Sequence, residues 1–101
     1  MPKIFEYLGI VIFFYAHEHQ PIHVHGRCGA FETKAEFQIK DGKVIAIRLK
    51  TVKRAKPLKG KDLKNFETFL NNYADLVVQK WIDFFVYNKD VTCEKIHKRL
   101  K

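Results

Sequence analysis

Residues 31 to 50 read FETKAEFQIKDGKVIAIRLK, and they contain two runs in which side chains of opposite character alternate. In residues 31 to 39, apolar or small side chains alternate with charged or amide ones, and residues 43 to 50 alternate in a similar way. This period of two is typical of β-strands with one buried face. The Asp41-Gly42 dipeptide between the runs is typical of a hairpin turn. The segment therefore predicts two antiparallel strands.

The register of this hairpin limits the kind of turn it can have. A two-residue loop would pair Phe37 with Ala46 and would place the apolar side chains of the two strands on opposite faces. A loop with an odd number of residues, with Gly42 in the left-handed conformation and a bulge, would set Phe37 beside Ile45 or Ile47. We therefore predict the odd-numbered loop. The inward-facing residues expected in the second strand are Ile45, Ile47 and Leu49.

Two further strands and one helix complete the predicted fold. Residues 7 to 17 form an apolar run that predicts a central strand, and residues 22 to 27 predict a second, short strand. Further along the chain, apolar residues recur every three or four positions, which predicts an amphipathic helix over about residues 61 to 87. Its apolar stripe consists of Leu63, Phe66, Leu70, Tyr73, Val77, Trp81 and Phe84. For the tail, residues 88 to 101, a short edge strand and a frayed helix both stay open.

The expected fold class is α+β: a mainly antiparallel four-stranded sheet with one long C-terminal amphipathic helix packed on one face. A chain of 101 residues has room for one core. We therefore predict a single domain over residues 1 to 101, with the sheet at about residues 4 to 50 and a basic connection at residues 51 to 60. The longest apolar run, residues 8 to 16, is half as long as a membrane-spanning helix and has no cleavage site, so we expect a cytoplasmic protein without membrane contact.

The net charge of +8 is concentrated in the middle of the chain. Between Asp41 and Asp62 there are eight Lys or Arg residues and no acidic residue. Such a stripe is typical of proteins that bind phosphate backbones or an acidic protein surface, although a solvated lysine-rich face gives the same pattern. The residues predicted to contact RNA or another polyanion are Arg48, Lys50, Lys53, Arg54, Lys56, Lys59 and Lys61.

Residues 16 to 26, AHEHQPIHVHG, place four histidines around Pro21. If the flanking strands form an antiparallel hairpin closed at this proline, the residue numbers of paired positions sum to 42. The predicted pairs are His19 with His23 and His17 with His25. All four imidazoles then stand on one face of the sheet, together with Phe13 and Tyr15, while the helix covers the other face.

Such a cluster is suited to two kinds of chemistry. Directly opposed residues have Cβ atoms about 4.5 to 5.5 Å apart, so two or three ring nitrogens can share one metal ion. Imidazole also titrates near neutral pH, which suits general acid and base catalysis. A purely structural reading stays open, because histidines beside a turn make local hydrogen bonds. The sequence has no Cys-x-x-Cys pair, Gly-rich phosphate loop or nucleophile elbow, so metal-finger, nucleotide-binding and hydrolase readings lack support.

The chain resembles the small bacterial family known as domain of unknown function 4160. The similarity covers about residues 1 to 87, in the segments MPKI, GIVIFFY, HEHQPIHVHG, ETKAEF and the helix end KWIDFF. The most specific part is a motif that the family typically writes as acidic-His-x-Pro-Pro-His-x-His. The residues that match it are His19, Pro21, His23 and His25. Ile22 replaces the second proline of the motif.

The resemblance also narrows the candidate residues. His17 lies where the family usually has no histidine, so it becomes a neighbour of the site rather than a ligand. Lys34 matches a lysine that the family usually carries, and Trp81 matches a helix tryptophan that we assign to the core. Members of the family often occur beside a small protein known as domain of unknown function 2442, in gene pairs suspected to be toxin–antitoxin modules. The resemblance therefore implies a protein partner of that type and an RNA target.

Three functions stay open, and the sequence does not decide whether the protein is an enzyme. The first is a component of a toxin–antitoxin-like module that acts through protein contacts and RNA contacts; a homodimer is equally open. The second is a histidine-dependent or metal-dependent ribonuclease-like toxin, with the candidate catalytic residues His19, His23, His25 and Lys34. The third is a small metal-binding protein, with zinc or nickel bound by His19, His23 and His25.

Overall fold

The computed structural model describes residues 2 to 16 and 21 to 101. Its strands and helix are β1 (Lys3–Tyr7), β2 (Ile10–Phe13), β3 (His23–Cys28), β4 (Phe31–Lys40), β5 (Lys43–Thr51), α1 (Gly60–Phe85) and β6 (Glu94–Ile96). The strands form one sheet in the order β5-β4-β3-β2-β1-β6. All neighbours are antiparallel except β1 and β6, which are parallel. The predicted α+β class with one long helix is confirmed, but the predicted sheet was wrong, because the described strands form a six-stranded, mixed sheet.

The first difference lies in the apolar run at residues 7 to 17, which contains a turn. Leu8 and Gly9 have φ values of 48° and 82°, as in the tight turns that join antiparallel strands. The chain reverses there, so that Tyr7 pairs with Ile10. The continuous apolar run concealed this turn, because leucine rarely adopts a positive φ. The second difference is β6, which resolves the open choice for the tail in favour of an edge strand.

The turn between β4 and β5 differs from the prediction as well. Asp41 and Gly42 have φ values of 53° and 78°, and Lys40 pairs with Lys43. The loop therefore has two residues, and the predicted odd-numbered loop was wrong. Two successive positive φ values match the right-handed twist of the flanking strands, which favours this turn despite the register it imposes.

A bulge in β5 corrects that register. The pairing with β4 passes from Val44 directly to Ala46, which leaves Ile45 as the extra residue. Phe37 consequently pairs with Ile47, as predicted. Ile45 does not face inward as predicted: 60% of its surface is exposed, because the bulge turns this side chain out of the sheet.

Helix α1 lies within two residues of the predicted bounds and packs on one face of the sheet. Its buried residues are Phe66, Phe69, Leu70, Val77 and Trp81. Contact is closest at Gly26 of β3, where an added Cβ would lie 2.5 Å from Cε1 of Phe66. Only glycine fits under this ring, so Gly26 lets the helix approach β3. Within the described ranges, the structure contains no helix that is long and apolar enough to span a membrane.

Candidate functional site

The sheet face opposite α1 carries the described histidines, and we call it the histidine face. Side chains alternate between the two faces of a strand, so Val24 enters the core while His23 and His25 project from the other face. The strand pairs place Phe13 beside His25, and His25 beside Lys34. Phe13 therefore shares the histidine face, as predicted.

The predicted register of the histidine hairpin was wrong. His25 pairs with Phe13 and not with His17, because β2 ends at Phe13 and β3 begins only at His23. The connection is thus longer than a tight turn at Pro21. The register is displaced by four positions from the predicted one. Because this number is even, Phe13 and His25 still lie on the face that we predicted. His17 and His19 lie outside the described residues, and so do the predictions that His19 is catalytic or binds metal.

A buried carboxylate holds the imidazole of His25. Nδ1 of His25 lies 3.0 Å from Oε2 of Glu32, and the two side chains are 3% and 7% exposed. The same oxygen accepts a hydrogen bond from the Tyr15 hydroxyl at 3.3 Å. An ionised carboxylate only accepts hydrogen bonds, so Nδ1 of His25 carries a hydrogen and Nε2 has the lone pair of the neutral ring. Carboxylates orient catalytic and metal-binding histidines in this way.

The ring of His23 has the same hydrogen arrangement. Its Nδ1 lies 2.6 Å from the carbonyl oxygen of Pro21, and because a carbonyl oxygen only accepts, this nitrogen is the donor. The ring centroids of His23 and His25 are 5.4 Å apart. In the neutral state, Nε2 of each of these two neighbouring imidazoles is therefore the basic nitrogen.

Two aromatic rings enclose His25. Phe13 stacks on the imidazole with centroids 5.4 Å apart and an interplanar angle of 20°. Tyr15 meets it edge-on at 4.7 Å and 81°. The rings exclude water from the Glu32–His25 pair, and the low local dielectric strengthens the hydrogen bond between them.

The basic connection passes directly beside this histidine. After β5 ends at Thr51, residues 52 to 55 form a turn in which the Ala55 amide donates to the Val52 carbonyl at 3.2 Å. The chain then returns to β4, where the Glu32 amide donates to the Lys56 carbonyl at 2.8 Å. We call residues 52 to 55 the basic turn, since they include Lys53 and Arg54.

Two open grooves of about 340 Å³ each adjoin the basic turn. The Tyr15 groove is lined by Tyr15, His25, Glu32 and residues 52 to 55. The Lys34 groove is lined by His25, Lys34 and residues 51 to 53. His25 and Lys53 line both grooves, while Arg54 lines the first groove and Lys34 the second. The structure therefore brings together one predicted imidazole, the predicted Lys34 and two predicted polyanion contacts.

The other predicted basic residues do not converge on the grooves. Lys50 pairs with Glu36 at 2.8 Å, and Lys34 reaches the same carboxylate at 3.5 Å. The hydrogen bond from Lys50 is the main cause of a lowered pKa of Glu36. Lys59 lies over the Phe31 ring at 5.3 Å. Residues that are exposed and line neither groove are Arg48, Lys56 and Lys61.

Of the three predicted metal ligands, His23 and His25 are described. In the part of the chain that the structure covers, no group of three or more His, Cys, Asp or Glu side chains is arranged to hold a metal ion. Among the described residues, the carboxylate of Glu32 contacts Nδ1 of His25.

Sequence reasoning missed Glu32 and Tyr15 as partners of His25. The sequence contains one signal for the contact between Glu32 and His25, which is Gly29 in the short connection between β3 and β4. In the structure, Gly29 has a φ of 62° and Cys28 pairs with Phe31. A two-residue turn at Gly29 places Glu32 diagonally across from His25, within reach of a long side chain.

Fold and site together define a small α+β protein with a carboxylate-held histidine beside a basic turn. The family model described as a domain of unknown function (DUF4160) matches residues 9 to 82, and the chain belongs to this family. The matched range includes β2 to β5 and most of α1, whereas β1 and β6 lie outside it. No curated protein and no solved structure matches the chain.

Proposed function

We propose that this protein binds single-stranded RNA on the histidine face and acts as a component of a cytoplasmic toxin–antitoxin-like module. The observation that carries the RNA contact is the position of Lys53 and Arg54 beside the Glu32–His25 pair. The module and its protein partner, of the type known as domain of unknown function 2442, are supported by the family resemblance.

The charges around the grooves favour a polyanion. Lys53 and Arg54 are exposed at the basic turn, and Lys34 borders the second groove. The acidic residue that lines the Tyr15 groove, Glu32, is buried and already accepts two hydrogen bonds. The electrostatic potential at the groove mouths is therefore dominated by the basic side chains, which attract phosphates.

Salt dependence tests this binding. For a fluorescent single-stranded RNA, we expect the affinity to fall by about 0.7 log units per log unit of salt for each phosphate contact. Reversal of both charges in Lys53→Glu/Arg54→Glu should weaken binding and flatten that slope. The exposed pair Lys98-Arg99 offers a matched control, because its reversal changes the net charge equally, far from the grooves along the chain. Equal effects of the two reversals, or binding without salt dependence, would contradict the proposal.

Cleavage of the bound RNA is a second candidate function, favoured by the fixed tautomer of His25. Nε2 of His25 would take the proton of a ribose 2′-hydroxyl, and the 2′-oxygen would attack the adjoining phosphorus. The bond from phosphorus to the 5′-oxygen would break, and this oxygen would take a proton from protonated His23, giving a 2′,3′-cyclic phosphate and a 5′-hydroxyl end. Lys34 would stabilise the charge on the phosphate oxygens.

The cleavage function predicts a separation between reaction and affinity. His25→Gln should abolish cleavage, or growth inhibition on expression, while leaving RNA affinity within a few-fold of the wild type. Cleavage should also depend on pH in a bell-shaped manner, because one imidazole must be neutral and the other protonated. Cleavage that persists in the His23→Gln/His25→Gln double variant would rule out this mechanism.

Metal binding and partner binding are tested separately. The closeness of the His23 and His25 rings, whose centroids are 5.4 Å apart, supports a zinc or nickel site that includes His19. Such a site should raise the melting temperature when either metal is added. A stable complex on co-expression with a protein of the type known as domain of unknown function 2442 would support the module. Light scattering of the purified chain distinguishes a monomer from a homodimer.

A further inference from the structure

We infer that the two grooves bind different parts of one nucleotide step, with a nucleobase stacked on Tyr15 in the Tyr15 groove and the adjoining phosphate in the Lys34 groove. The inference rests on the proposed RNA binding and specifies how the strand lies across His25.

The Tyr15 groove suits an uncharged, planar group. Its walls include the Tyr15 ring and the side chains of Val52 and Ala55. The buried carboxylate of Glu32 also lines this groove, so a phosphate inserted deep into the groove would be repelled at short range, whereas an uncharged nucleobase would not be repelled. Stacking of a base on an aromatic ring typically contributes about 1 to 3 kcal/mol.

The Lys34 groove suits the phosphate. It is lined by Lys34, Lys53 and Thr51, and its described lining includes no acidic residue. The ion pair of Lys34 with Glu36 is long, at 3.5 Å, and 30% of the lysine side chain is exposed. Glu36 has its shorter bond with Lys50, so Lys34 can turn toward a phosphate without leaving that carboxylate unpaired.

The spacing of the grooves agrees with this division. Glu32 and Lys34 project from the same face of β4, two residues apart, which corresponds to about 6.6 Å along a strand. The two grooves are therefore close enough together for the base and the adjoining phosphate of one nucleotide step to occupy them. His25 lines both grooves, so the ribose that joins the base to its phosphate would lie beside this imidazole.

The decisive experiment compares three ligands on the wild-type protein. Octauridylate, an abasic ribose-phosphate octamer of equal charge and the matched deoxyoctamer compete with a fluorescent RNA at several salt concentrations. We expect octauridylate to bind about 5- to 100-fold more tightly than the abasic strand, as base stacking predicts. The salt dependence of the two should be the same, because their phosphate contacts are the same. The deoxyoctamer shows whether the 2′-hydroxyl contributes.

Three variants assign the effect to the grooves. Ala55→Leu fills the Tyr15 groove without removing a contact, and it should reduce the affinity for octauridylate to that for the abasic strand. Lys34→Gln should weaken both ligands by the same factor. Tyr15→Phe keeps the ring and should keep the preference for bases.

Equal wild-type affinity for octauridylate and the abasic strand would overturn the base-stacking inference but leave the polyanion proposal intact. A wild-type preference for bases that Ala55→Leu leaves unchanged would also overturn it. If no strand binds, or if the strands bind without any dependence on salt, the proposed function itself would be overturned.

Discussion

Glu32→Gln is the substitution that tests most directly whether the buried carboxylate holds the site together. The change keeps the size of the side chain and removes its charge, so it creates no cavity. Oε2 of Glu32 now accepts from both His25 and Tyr15. The oxygen of the amide that replaces the carboxylate can accept from both donors in the position of Oε2, but it lacks the negative charge that strengthens these two bonds.

The expected cost follows from the weakening of these two bonds. A hydrogen bond to a charged group contributes about 1.5 to 3 kcal/mol, whereas one between neutral groups contributes about 0.5 to 1.5 kcal/mol. We expect Glu32→Gln to lower the free energy of unfolding by about 2 to 3 kcal/mol. For a domain of this size, each kcal/mol corresponds to about 4 to 8 °C in Tm.

A matched control lies on the same face of the same strand. The side chain of Glu36 is 16% exposed and pairs with two lysines that are themselves more exposed. Exposed ion pairs contribute about 0 to 1 kcal/mol, so Glu36→Gln should change the unfolding free energy by no more than that. Urea unfolding of both variants, at pH 7, gives the comparison. If Glu32→Gln costs no more than Glu36→Gln, the charge of the buried carboxylate does not stabilise the site around His25.

The remaining predictions concern the helix contact and the acid range. Gly26→Ala should lower the unfolding free energy by about 1 to 3 kcal/mol, because its Cβ would overlap the Phe66 ring; the double variant with Phe66→Leu should recover part of this loss in urea unfolding. Trp81→Ala should cost about 3 to 5 kcal/mol, since the ring is buried in the core, and an unchanged thermal melting curve would exclude it from the core. The hydrogen bond from Lys50 lowers the folded pKa of Glu36, so this carboxylate stabilises the fold above its ordinary pKa of about 4.3 and ceases to do so as the pH falls through the lowered value. Stability measured between pH 3 and 6 should therefore decline less steeply in Glu36→Gln than in the wild type.

Local patterns in the sequence were sufficient for several features of this protein. The period of two in β4 placed Phe37 in the core, and the helical spacing placed α1 within two residues of its observed bounds. The class of the fold followed from these two periods. The alternation of side chains along a strand was enough to place Phe13, His23 and His25 on one face of the sheet. A predicted strand register that is wrong by an even number of residues leaves each of these side chains on the same face.

Other features depended on contacts between distant parts of the chain. The turn at Leu8 adopts positive φ because β1 and β2 bury their apolar side chains against α1, and this overrides the local preference of leucine. The bulge at Ile45 reconciles a favoured two-residue turn with a single apolar face. Strand β6 is only three residues long and pairs in parallel with β1, so no local pattern could indicate it.

The candidate site shows the same division. The sequence by itself determined which residue types were present: imidazoles in one segment and a basic connection in another. Only the tertiary structure decided that Glu32 contacts His25 and that the basic turn lies beside them, because both contacts join segments that are separated along the chain. A hydrogen bond between side chains depends on strand register and on the path of a loop, and these are set by packing of the whole sheet rather than by the residues that make the bond.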